Sequence, residues 1–381
     1  MFGLFQKTDL EPDCLALIDS LLCRLHKIIL DQLGVASVAV VVGGSMGGMA
    51  VLEWPLCTPT GYVRHIIPIA TAARHSAWCI SWGEAQRQSI YSDPLYLDGY
   101  YDVVNGQPKT GLAAARMAAL LTYRSRDSFE SRFGRKTQSG SKSASNGGVL
   151  TPPESPRTPA DHALALHNDG HRGLLRRSSS AAASTPPALS FMNQQSPPAT
   201  NSEPAAADSQ EQSQPLIFAA QSYLRYQGDK FTARFDANCY IHISRKLDTH
   251  DLARGRIALP SPHTAEGEIE ALHKSLSMLP PGALVISIQT DGLFTPSEQQ
   301  EIASYIPEAS LVTIPSPDGH DGFLLEFEAI NRHILGFLKE RLPELYTGMP
   351  ADPAAMQGKG NGFEIEKTSM FGEAEADITR W

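Results

Sequence analysis

Residues 35–43 read VASVAVVVG, a nearly unbroken valine-rich run closed by glycine. Such a run fits a strand buried on both faces of a parallel sheet. It leads straight into Gly43-Gly44-Ser45-Met46-Gly47-Gly48, and residues 46–54 are small and apolar with no proline before Pro55, which predicts a short buried helix. Gly-x-Ser-x-Gly therefore falls between a buried strand and a helix. A serine there can occupy a strained turn that exposes its Oγ, while the amide of the next residue, Met46, points at a reacting carbonyl. A plain glycine-rich turn would contain the same residues, but the flanking strand and helix favour Ser45 as a nucleophile and the Met46 N–H as an oxyanion-hole donor.

A serine nucleophile needs a base and a carboxylate to orient that base, supplied here in the order Ser, Asp, His from later strand ends. Residues 63–70 (VRHIIPIA), 283–290 (ALVISIQT) and 310–314 (SLVTI) read as further strands, with helices over 22–33, 296–305 and 324–341. Asp291 follows ALVISIQT directly, and His320 lies in the tight Pro-Asp-Gly-His-Asp-Gly loop after SLVTI. Taken singly, Asp291 reads as a turn or capping residue and His320 as a loop histidine. With Ser45, in this order and at these strand ends, they form a candidate catalytic triad.

Strands separated by helices define an α/β chain with a mostly parallel sheet, interrupted by an inserted helical cap. The expected core covers 1–73 and 262–345, and the cap covers 74–261. Within the cap, about 136–214 is dominated by Ser, Pro, Ala, Gly and Gln and is expected to be disordered. A loosely held tail is expected over 346–381. The chain of 381 residues, 42% hydrophobic, can bury one or two cores. Its formal charge of −9 argues against non-specific nucleic-acid binding. No apolar run reaches the roughly 18 residues of a membrane span, and no secretory leader opens the chain, so a cytoplasmic location is expected. The five cysteines are scattered without a Cys-x-x-Cys pair, and His167 and His171 flank an Asn-Asp-Gly turn, so no disulfide framework and no metal site are expected.

Several stretches resemble the homoserine O-acetyltransferases, particularly the fungal form: GGSMGGMAVLEWP around Ser45, RHIIPIATAARHSAWCISWGEAQRQSIYSDPLYLDGYY, ARMAALLTYRS (115–125), SYLRYQGDKFTARFDANCYIHISRKLDTHDLARGR and GHDGFLLE. The likeness covers roughly 24–134 and 216–343 and implies an α/β-hydrolase fold. It also implies a ping-pong reaction in methionine biosynthesis. Ser45, activated by His320 and Asp291, takes the acetyl group of acetyl-coenzyme A, and the γ-hydroxyl of L-homoserine then receives it. Acetyl-coenzyme A is thus a co-substrate, with no permanently bound cofactor. The resemblance assigns Arg116 and Tyr123 to holding the amino-acid substrate and Asp321 to its ammonium group, roles that suit a guanidinium and a carboxylate. It further implies a homodimer formed through the cap.

One departure stands out. Members of this family have well over a hundred residues before the nucleophile, whereas Ser45 follows only 44 here. The sheet is therefore expected to be truncated at its N-terminal flank, with an open edge and without the loop that would donate a second oxyanion-hole amide. The alternatives left open are acetylation of another alcohol such as serine or deacetylcephalosporin C, use of succinyl-coenzyme A, hydrolysis of the acyl-serine, and an inactive short paralogue that binds a full-length partner.

Overall fold

The computed structural model describes residues 18–102, 106–137, 167, 169–170, 217–258 and 264–347. Most of the Ser/Pro-rich insert and the tail beyond 347 lie outside the described residues. The chain forms two compact units. The smaller, Thr137–Phe218, is described at a few positions only, among them an antiparallel bridge between Thr137 and Phe218. The larger carries every element named below.

Its order is α1 (Ile18–Gln32), β1 (Val38–Gly44), α2 (Met46–Leu56), β2 (Val63–Ile69), α3 (Ala77–Tyr91), α4 (Lys109–Tyr123), α5 (Arg126–Arg132), α6 (Ala219–Thr232), α7 (Ala237–Asp248), α8 (Ala265–Ser277), β3 (Leu284–Ile288), α9 (Pro296–Tyr305), β4 (Ser310–Ile314), α10 (Gly322–Leu325) and α11 (Phe327–Arg341). The strands make one parallel sheet in the order β1-β2-β3-β4. Long crossovers between parallel neighbours are filled by helices, as the geometry of such pairs requires.

Side chains that alternate along each strand feed two cores. Ile66 and Val285 point to one face, where they pack with Val51 and Leu52 of α2, Leu272 and Leu276 of α8 and Ile302 of α9. Ile67, Ile69, Ile286 and Ile288 point to the other, against Ile330 and Phe337 of α11. Burial on both faces explains why β2 and β3 read as continuous apolar runs. Each fully buried isoleucine or leucine contributes about 1.5–3 kcal/mol relative to exposure. The helices between β2 and β3 build a third core around Ile90, Leu112, Ala115, Phe231 and Ile241. Local capping sets their starts: Ser76, Ser125, Asp236 and Thr264 each accept a hydrogen bond from a first-turn amide.

β1 is not buried on both faces as its valine-rich run predicts: all its residues are half-buried or exposed, unlike most of those of β2 and β3. Among the described residues it pairs only with β2, and Val42 is 44% exposed. Leu25, Ile28 and Ile29 of α1 are exposed as well.

The single helix expected over 324–341 is two helices. Glu326 leaves the helical region at φ −87°, ψ 38°, and separates α10 from α11. Gly322 explains the tight entry, because a Cβ there would lie 2.8 Å from Ile288 and 2.9 Å from the Ser316 hydroxyl. After that turn the chain must change direction for Ile330 and Phe337 to lie on the sheet.

His75, just beyond β2, is buried against Phe294, and its Nδ1 has no hydrogen-bond partner. Burial, with His250 and Arg87 nearby, pushes its pKa from 6.5 down to about 4. The unfolded chain therefore takes up a proton at this residue between those values and the folded chain does not. Stability must fall as pH drops through that window, by up to about 3 kcal/mol. Denaturant midpoints at pH 7 and pH 4.5 should differ less for His75→Gln than for the wild type; equal differences would remove His75 as the cause.

Candidate active site

Ser45 sits at φ 57°, ψ −125° between β1 and α2, a strained conformation for a residue with a side chain. Neighbouring contacts hold it there. Its N–H donates to the Ile69 carbonyl at 2.9 Å, and its own carbonyl accepts from Thr71 Oγ1 at 2.7 Å. Gln299 of α9, fully buried, accepts from the Thr71 amide and donates to the Thr71 carbonyl. Three of the four glycines of the turn, Gly43, Gly44 and Gly48, are needed for space, whereas a Cβ at Gly47 would meet nothing within 4 Å. A Cβ at Gly43 would come within 2.5 Å of the Gly47 carbonyl, one at Gly48 within 2.5 Å of Thr71, and one at Gly44 within 2.6 Å of the Phe323 ring.

His320 closes the site. Its Nε2 lies 2.9 Å from Ser45 Oγ and its Nδ1 2.7 Å from Asp291 Oδ2. With Nδ1–H donating to the carboxylate, Nε2 is left to accept the serine proton. Asp291 is fixed by its other oxygen, which accepts from the amides of Leu293 and Phe294 at 2.8 and 2.9 Å. Asp291 thus both shapes its own turn and faces the histidine. Thr290 links the two loops, donating to the Ser316 carbonyl and accepting from the Gly319 amide. Phe294, Phe323 and Tyr123 surround the imidazole with ring centroids 5.3, 5.0 and 6.2 Å away. His320 and Asp291 are each 3% exposed, so their hydrogen bond is shielded from water.

Met46 is the first residue of α2, where an amide has no intrahelical carbonyl to reach. Arg116 on α4 lies over the rings of Tyr123 and Phe231, at 5.2 and 4.9 Å from their centroids. Tyr123 in turn approaches His320. Asp321 is buried, and its Oδ2 is engaged by Arg124 Nε at 2.9 Å. Burial pushes the Asp321 carboxyl above the usual range, with Arg124, His320 and Arg116 pulling the other way. Arg124 and Thr71 were not singled out from the sequence. Arg124 stands next to Tyr123 in the quoted TYRS stretch, whereas nothing local marks Thr71. Among the described residues no group of three or more His, Cys, Asp or Glu could hold a metal ion, and no helix is long and apolar enough to cross a membrane.

A half-buried serine and a buried imidazole and carboxylate in hydrogen-bonded series at the ends of parallel strands make an arrangement suited to acyl transfer through a serine ester, in an α/β-hydrolase fold. Residues 18–327 match the family model described as the alpha/beta hydrolase fold. The chain is 55% identical over 397 residues to a homoserine O-acetyltransferase of Cryptococcus neoformans var. grubii, covering 94% of this chain and 75% of that protein. It is 50% identical over 365 residues to the homoserine O-acetyltransferase of Emericella nidulans, covering 94% and 71%. Among solved structures, a homoserine O-acetyltransferase from Bacillus anthracis superposes with a TM-score of 0.57 at 15% identity, over 84% of this chain and 65% of that one, a likeness of fold. The chain belongs to the homoserine O-acetyltransferase family.

Gly44→Ala tests the packing around the nucleophile. The new methyl must displace Phe323, which lies against His320. Overpacking of this kind costs about 1–3 kcal/mol, and an imidazole shifted by about 1 Å can cost about 100-fold in rate. Acylation of Ser45 should fall by that order while the far-ultraviolet circular dichroism keeps its helical form. A wild-type rate would show that Phe323 moves without carrying His320.

Proposed function

We propose that this protein transfers the acetyl group of acetyl-coenzyme A to the γ-hydroxyl of L-homoserine, in methionine biosynthesis, through an acetyl ester on Ser45. The observation that carries the reading is the Ser45–His320–Asp291 hydrogen-bond series, set beside Tyr123 and the oppositely charged Arg116 and Asp321. High identity to fungal homoserine O-acetyltransferases supports the same acyl acceptor.

In the first half-reaction His320 Nε2 removes the Ser45 hydroxyl proton as Oγ attacks the thioester carbonyl. The oxyanion forms near the Met46 amide. Collapse breaks the carbon–sulfur bond, and the proton on His320 passes to the departing sulfur, so coenzyme A leaves as the thiol. In the second half-reaction His320 removes the proton of the homoserine hydroxyl, whose oxygen attacks the acetyl-serine carbonyl. The ester bond to Ser45 breaks, and His320 returns the proton to Oγ. Asp291 stays ionised throughout and stabilises the imidazolium formed in each half.

Arg116 and Tyr123 are assigned to the substrate carboxylate end and Asp321 to the ammonium. A cap dimer fits the exposed Trp78, Ile80, Leu97 and Tyr100 on and beyond α3, and a cytoplasmic location fits a biosynthetic enzyme.

Steady-state rates at several fixed homoserine concentrations should give parallel double-reciprocal lines against acetyl-coenzyme A, with serine a poorer acceptor. Intersecting lines would contradict a covalent acetyl-enzyme, and equal use of water in place of homoserine would make the protein a hydrolase. Asp321→Asn should raise the KM for homoserine at least tenfold, the order expected when one partner of a buried charged contact is lost, with a smaller effect on acylation. Because burial raises the Asp321 pKa, the wild-type KM for homoserine should climb with falling pH earlier than an ordinary carboxylate would dictate. A KM unchanged in Asp321→Asn would remove the ammonium role.

A further inference from the structure

His320 stands on a turn that is gripped from two sides, and only one grip belongs to the triad. The other comes from the junction between α4 and α5, nearly two hundred residues earlier in the chain. Arg124, in extended conformation at the end of α4, is 92% buried at its side chain, from a relative exposure of 8%. Its Nε donates to Asp321 Oδ2 at 2.9 Å and its Nη1 to Asp318 Oδ1 at 2.8 Å. These two carboxylates bracket His320, two residues before it and one after.

Neighbours tighten the same grip. Ser128 Oγ donates to Asp318 Oδ1 at 2.6 Å, and Ser125 Oγ donates to the Pro317 carbonyl. Gly319, at φ 69°, lets the backbones touch: a Cβ there would lie 2.5 Å from the Ser125 nitrogen and 2.8 Å from the Arg124 carbonyl carbon. Arg124 Nη2 is buried with no hydrogen-bond partner. A guanidinium buried with one N–H₂ unsatisfied is a poor choice for stability alone, since apolar replacements of buried ion pairs are often as stable. What an apolar residue cannot do is hold two carboxylates at fixed positions with a planar fork.

We propose that Arg124 is a positioning residue for acyl transfer: by holding Asp318 and Asp321 on either side of His320, it fixes the imidazole at hydrogen-bonding distance from Ser45. The proposal rests on the reading of Ser45 as nucleophile and His320 as base, and not on the identity of the acceptor. Lysine cannot replace the function, because a single ammonium does not reproduce the two-pronged geometry.

The test is the single-turnover rate of Ser45 acetylation by acetyl-coenzyme A without acceptor, followed by intact mass over a range of acetyl-coenzyme A concentrations. Wild type, Arg124→Lys, Arg124→Met and Asp318→Asn are compared, with thermal unfolding of each. The maximal rate should fall about 10- to 100-fold in both Arg124 variants, the size of effect a small misplacement produces. The half-saturating concentration should stay near the wild-type value. Asp318→Asn, which removes one prong at the more exposed carboxylate, should fall less than the Arg124 variants but in the same parameter. Maximal rates within twofold of wild type in folded Arg124→Lys and Asp318→Asn would overturn the proposal, as would losses that merely track the unfolded fraction. If wild type itself acquires no acetyl group, the nucleophile reading fails instead, a result distinct from the failure of Arg124.

Discussion

One imidazole ties together parts of the chain that are 275 and 29 residues apart, because His320 must meet Ser45 on one side and Asp291 on the other within hydrogen-bond reach. Neither bond forms unless β1, β3 and β4 end at the same level of one parallel sheet, so the chemistry depends on strand register. That register comes from β2 and β3, whose alternate side chains supply both cores and whose one-residue slip would exchange them. Burying both faces with aliphatic side chains thus fixes the site as firmly as any polar contact within it.

Space around the nucleophile is as constrained as charge. Gly43, Gly44 and Gly48 each stand where a single methyl would strike the Gly47 carbonyl, Phe323 or Thr71. Within this turn Ser45 carries the unusual dihedrals, and the Thr71 hydroxyl and Ile69 carbonyl hold it in them. Gln299 secures Thr71 from α9, so strain at the nucleophile is balanced by a buried polar network reaching the far side of β2. On the other flank, Arg124 grips the turn that carries His320.

Much of this is written locally. The VASVAVVVG run, the glycines around Ser45, the position of Asp291 after ALVISIQT and the loop containing His320 each follow from short-range pattern, and in the structure these residues meet. Less local features are harder to read. Thr71 and Gln299 are ordinary polar residues 228 positions apart, and Arg124 joins Asp318 and Asp321 across 194 and 197 positions. Their pairing exists only once the sheet and the α4–α5 junction are in place. The break at Glu326 is hidden in the sequence for a related reason: the apolar spacing continues through it, and the tight packing of Gly322 against Ile288 and Ser316 exists only in the fold. The resemblance gives Asp321 a substrate ammonium as its partner, whereas in the structure one of its oxygens bonds Arg124.

The central claim is that Ser45 becomes acylated with His320 as its base. It is tested most directly by the intact mass of the purified protein after acetyl-coenzyme A is added, with Ser45→Ala as the control and L-homoserine supplied in a second step. The account predicts one acetyl group on the wild type, none on Ser45→Ala, and loss of the label as O-acetylhomoserine appears. A wild-type protein that is folded yet stays unlabelled, or a label that persists in Ser45→Ala, would contradict it.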